Sequence, residues 1–211
     1  MLSDDRLENR MREVSPGNPC PFLRALVAQE YLDDGTVPLG TMGRTLVQVA
    51  ATGEGSPRLP EPGVRAIALI ANGLGPQHLV RAVREGVRLD ELRHGPLDKQ
   101  GAGSGILDVQ AGVVPAELER LGAFASEKTR SDGTTEQGLD LAEITRFMDA
   151  NYERAAGRRR RIDRRLMNGE WPVLLRVLGR EGTTGRYLAL DDVRRLVVDR
   201  QLPQRMTDQL A

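Results

Sequence analysis

The sequence predicts a mainly α-helical fold, a single multi-helix domain over residues 1–211. Three observations carry that expectation. Apolar residues recur at the i, i+3, i+4, i+7 spacing of a helix face in one stretch after another, Gly- and Pro-rich segments separate those stretches, and no stretch alternates apolar with polar residues as a half-buried strand would. The length is sufficient to bury a substantial core.

Taken in order, Ser3 caps a short polar helix over 3–13, with Asp4 and Asp5 in its first turn and Ser15-Pro16-Gly17 ending it. Leu23, Leu26, Val27 and Tyr31 mark a helix begun by Pro21 and closed at Asp33-Asp34-Gly35. Leu39, Met42, Leu46 and Val49 place another over 39–51. Between 62 and 74 the residues Val64, Ile67, Ala68, Leu69, Ile70 and Ala71 leave almost no polar face, so this helix is expected at the centre of the core. A short helix carrying His78, Leu79 and Val83 follows Gly75-Pro76.

Glycine is dense over 95–114, which reads as a long loop between a cysteine-bearing helical part (13–114) and a second helical part (115–211). Pro115 starts a helix with Leu118 and Leu121 on one side. A loop of Ser131, Asp132, Gly133 and Thr134 precedes a helix with Ile144, Phe147, Met148 and Tyr152 on one face. The arginines at 158–161, with Arg164 and Arg165, form a basic helix; Trp171, Leu174, Leu175 and Leu178 mark another. The last helix carries Leu190, Val193 and Val197 and stops at Leu202-Pro203.

Thirty basic and thirty acidic residues give no net charge, so the global field attracts no polyanion, and an aromatic content of 3% leaves little for base stacking. Nucleic acid is therefore not an expected partner. The chain has no apolar run of membrane-spanning length and its first residues lack the basic-then-apolar order of a secretory signal, so the expectation is a cytoplasmic protein without a membrane anchor.

One stretch suggests chemistry. Cys20, the only cysteine, lies between Pro19 and Pro21 at the start of an amphipathic helix. Each proline restricts its own φ and the residue before it, so the loop is stiff, and the N–H groups of the helix start favour a thiolate. A held thiolate suits a soft metal or a haem iron. Pro19-Cys20-Pro21, with Leu23, Leu26, Tyr31-Leu32 and Gly35, resembles the proximal motif of the chloroperoxidase and unspecific-peroxygenase family of haem-thiolate enzymes. Arg24, Gln29-Glu30 and Asp33 stand where that family usually has Asn, His-Gly and Pro, and its Glu-His-Asp or Glu-Gly-Asp triplet is absent.

The resemblance implies a mainly α fold, haem b bound through Cys20, and peroxide-driven oxidation of a small organic substrate. It also implies distal roles for Glu153 and Arg146, seven residues apart on one helix and so on one side of it: the carboxylate moves the peroxide proton and the cation stabilises the departing oxygen. Either histidine, His78 or His94, is an alternative iron ligand in place of Cys20, with His94 in its loop the better placed.

A second pattern points to another class, a non-enzymatic calcium-responsive or interaction module. The twelve-position EF-hand loop laid on 132–143 puts Asp132, Thr134, Glu136, Asp140 and Glu143 at ligand positions and Leu139 at the apolar eighth, with Gln137 where the sharp turn needs glycine. The overlay on 181–192 is poorer, but Leu188 again fills the apolar position. The two suggest an EF-hand-like pair whose second member has lost its ion. The same residues also read as a helix start, with Asp140 as cap and Glu143 three positions later in capping-box spacing.

Overall fold

The computed structural model describes residues 12–99 and 101–210. Among these the chain forms nine α-helices and two antiparallel sheets, so the fold is mixed α/β and the mainly α expectation is corrected. The strands run two to five residues. Such short segments are too brief to display a period of two.

The first half holds α1 (Pro21–Ala28), β1 (Thr36–Val37), α2 (Leu39–Ala51), α3 (Glu61–Ala71), α4 (Pro76–Arg84) and β2 (Val87–Arg88), with a 3₁₀ turn at Leu89–Glu91. Helix α1 is central: Ala25, Leu26 and Val27 are fully buried, and it packs against a helix of the second half. Helix α3 is not central. It rests on α2 and leaves Ile67 57% and Ile70 37% exposed. A helix apolar all round has the same sequence whether its outer face is covered or bare, which is why the pattern placed it wrongly. Most of the predicted 3–13 helix lies outside the described residues; Arg12 and Glu13 are not helical.

The second half is built from two hairpin-then-helix units. After α5 (Pro115–Gly122), the first comprises β3 (Ser126–Thr129), β4 (Thr135–Leu139) and α6 (Leu141–Arg154). After α7 (Asp163–Leu178), the second comprises β5 (Arg180–Gly182), β6 (Gly185–Ala189) and α8 (Leu190–Val197); α9 (Gln204–Thr207) follows. The strand order β3-β4-β6-β5 joins the units through β4 and β6, with Gly138 opposite Ala189 and Leu139 opposite Leu188. A bridge between Arg130 and Gly182 links the outer hairpins, so the sheet curls around Tyr187.

The arginines at 158–161 are not helical. Buried Asp163 accepts from the Arg160 backbone N–H at 2.7 Å and from its Nε at 2.9 Å, pinning that segment as a loop, and one helix then runs through Pro172 to Leu178. Among the described residues no helix is long and apolar enough to cross a membrane.

Glycine at 138 is required by packing. A Cβ there would sit 2.5 Å from the Tyr187 ring and 3.0 Å from the Leu188 carbonyl oxygen, both fixed in the sheet. Gly138→Ala is expected to destabilise the protein by about 1–3 kcal/mol, the usual range for overpacking, read as a lowered midpoint in urea unfolding.

Candidate functional site

Cys20 is the N-cap of α1, in extended conformation. Its loop is held from inside: the Asn18 Oδ1 accepts the Cys20 N–H at 3.2 Å, and buried Arg24 donates to the carbonyls of Ser15 at 2.8 Å and Asn18 at 3.1 Å. Glu30, in the position of the family's glycine, has a left-handed φ of 63° and ends the helix. The stiffness expected from the two prolines is thus reinforced by a buried guanidinium.

The surroundings of the thiol favour its protonated form. The peptide groups of Leu23 and Phe22 at the helix start pull its pKa down, but burial, followed by the nearby Glu170 carboxylate, pushes it up to about 11. Beside this helix start, the cavity lined by Pro21, Ser104, Ile106 and Trp171 has a volume of about 30 Å³. Pockets for cofactor-sized ligands hold roughly 300–1,000 Å³. That cavity is too small for a haem.

The other sequence-derived positions lie on other elements. Arg146 and Glu153 are both exposed on α6, and Glu153 pairs with Arg159 at 3.1 Å. His94 is an exposed turn residue whose N–H donates to Asp98 at 2.7 Å, and the His78 ring packs against Gly73.

The calcium-loop positions gather more closely, around different chemistry. Asp132 caps the tip of the β3–β4 hairpin, accepting from the Thr134 N–H at 2.9 Å and hydroxyl at 2.6 Å. Asp140 and Glu143 form a complete capping box at the start of α6. The Lys128 ammonium on β3 lies 2.8 Å from Asp140 and 2.8 Å from Glu143. Burial alone would lower the Lys128 pKa, but these two hydrogen-bonded carboxylates raise it above the ordinary lysine value. In return, against the upward push of burial, Lys128 holds both carboxyls below their usual range.

The second unit repeats the arrangement. Arg180 on β5 grips Asp192, the third residue of α8, with Nε and Nη2 at 2.8 Å each, and places Nη1 at 2.9–3.0 Å from Glu136. Burial and Glu136, which accepts from the Tyr187 hydroxyl at 2.7 Å, push that phenol up to about 12. In both units a strand cation thus occupies the carboxylate where a calcium loop would present its last ligand, and a calcium ion does not fit there. Among the described residues no group of three or more His, Cys, Asp or Glu side chains gathers to hold a metal.

Lys128 and Arg180 were not singled out by sequence. Their signal is faint: a basic residue on the strand before each capped helix, legible only once the hairpins are known. Compared with known proteins, the chain matches no family model and no curated protein.

Two outcomes follow from this geometry. Lys128→Ala is expected to cost about 2–4 kcal/mol at neutral pH, because it leaves two partly buried carboxylates without a counter-charge. Since Lys128 depresses the carboxyl pKa values, its contribution is present above their ordinary 4.5 and 3.8 and is lost as pH falls through the folded values. Unfolding of wild type and variant should therefore converge in acid; a constant gap down to pH 2.5 would contradict the assignment. Addition of haemin should give the same absorption spectrum with wild type and Cys20→Ala; a thiolate-type band lost in the variant would show that Cys20 binds iron.

Proposed function

We propose that the protein is a non-enzymatic interaction module that pairs with a second copy of itself through the face formed by α3 and α4. The observation that carries this reading is a concentration of exposed apolar side chains. Ile67, Ile70 and Leu74 project from and just beyond α3, and Leu79, Val80 and Val83 from α4; Leu74 and Val83 are 64% and 65% exposed. Of the eleven large apolar side chains exposed among the described residues, five belong to these two contacting helices and a sixth, Leu74, to the turn between them. Isolated exposed leucines are ordinary, whereas a contiguous apolar face marks an association surface.

A second copy is the occupant that the charges favour. Arg84 and Glu85 stand side by side at the end of α4, both exposed and without an ion pair among the described residues. A two-fold contact needs a self-complementary surface, and Arg84 beside Glu85 gives each copy one charge of either sign to offer the other. A chain with zero net charge adds no long-range repulsion between copies. Calcium has no role in this reading, since Lys128 and Arg180 already neutralise the carboxylates it would use.

The test is sedimentation velocity at tens of micromolar protein. Wild type is expected to sediment as a dimer and the Ile67→Glu/Val83→Glu variant as a monomer of nearly unchanged thermal stability, because neither side chain is buried within the chain. A wild type that stays monomeric across the concentration range overturns the proposal.

A further inference from the structure

A second feature, independent of the α3–α4 face, lies on the other half of the molecule. A cleft of about 600 Å³ opens between the β5 end of the curled sheet, α8 and α9. Its walls carry five arginines against three aspartates, an excess of two positive charges in a chain with none overall. The volume is that of a small-molecule site.

The arginines are not equivalent. Arg180 and Arg205 are both anchored on Asp192, with Arg205 Nη1 at 2.6 Å, so one carboxylate serves two guanidinium groups and fixes their positions. Arg205 also donates to the Leu178 carbonyl through Nη2, yet its Nε is buried and has no hydrogen-bond partner among the described residues. Arg130, from the β3–β4 turn, faces Glu54, Asp132 and Glu136 at 3.7, 3.9 and 4.0 Å, beyond hydrogen-bonding distance of each. Arg194 is exposed and makes no ion pair among the described residues, while Arg195 is held by the Leu202 carbonyl and Gln204. Two guanidiniums preset on Asp192 thus line the cleft beside Arg194, and Arg130 is held only by long ion pairs that leave its hydrogen-bond donors free of those carboxylates.

We infer that this cleft binds a small, multiply charged oxyanion, a phosphate- or carboxylate-bearing metabolite, held chiefly by Arg130 and Arg194. The planar fork of arginine matches the oxygens of either group in paired hydrogen bonds. Asp191 and Asp199 also face the cleft, and they set the size of the ligand. Their charges disfavour an extended polyanion such as nucleic acid, whereas a compact anion held among the arginines avoids them.

Thermal unfolding of the full chain with pyrophosphate, and separately with succinate, tests the assignment, each against sodium chloride of equal ionic strength. At saturation at least one probe should raise the melting temperature of wild type by about 2–4 °C beyond the salt control, as a ligand bound only by the folded state must. The probe with the larger shift identifies the chemistry. Arg130→Gln/Arg194→Gln, which removes neither arginine anchored on Asp192, should unfold like wild type without probe and lose the shift. Should that variant fold poorly, Arg130→Lys/Arg194→Lys keeps the charge but not the fork, and its apparent affinity should fall about 10-fold. No shift with either probe in wild type, or a shift unchanged in the variants, overturns the inference.

Discussion

The pairing of β4 with β6 is the constraint on which the second half depends. It sets Leu139 opposite Leu188, both buried to within 1%, and so fixes where each hairpin must turn and where α6 and α8 must begin. Each strand passes directly into its helix: Asp140 caps α6, and Ala189 closes β6 as α8 starts. Because side chains alternate along a strand, slipping this register by one residue would turn Leu139 and Leu188 away from the core. The helices carry that order inward. Phe147 of α6 meets Phe124 and Trp171 in edge-to-face contacts, and Val193, Leu196 and Val197 of α8 close the core over α1.

Once the hairpins are in place, each brings a cation against the acidic third residue of the following helix. A carboxylate there is already favoured by the helix dipole and the free N–H groups. Adding Lys128 or Arg180 completes its hydrogen bonding at low exposure, which is what makes burial of such charges tolerable. The two units reach this state with different residues. The first combines a capping box with an ammonium; the second has no side-chain cap and relies on a guanidinium that also reaches Glu136 on the neighbouring unit. Arg180 therefore ties together the halves of the sheet that β4 and β6 join through their backbones.

Cys20 shows the same competition resolved the other way. The helix start favours its thiolate, and the local sequence supports that, but packing against the loop that follows Lys99 and against α7 removes solvent and brings Glu170 near. Desolvation outweighs the peptide dipoles, so a thiol framed like a metal ligand is held protonated. The two-proline frame accounts for a stiff turn into the most buried helix of the chain, a role that Arg24 shares.

Much of the helical framework was legible in the sequence, because helical periodicity is written within a dozen residues. The stretch over 39–51, the helix opened by Pro115, the Ile144–Phe147–Met148 face and the box of Asp140 and Glu143 all follow from local spacing. The overlay of 132–143 and 181–192 even marked Leu139 and Leu188 as equivalent positions. What local spacing could not contain was pairing between segments fifty residues apart. Where the end of Thr135–Leu139 joins the sheet is decided by Leu188 and Ala189, and whether Asp140 and Glu143 await an ion or already hold one is decided by Lys128 on a strand the sequence did not announce. Nor could spacing say whether the apolar faces of α3 and α4 are covered. Burial, counter-charge and strand register are properties of what lies across the fold, and only the tertiary structure supplies it.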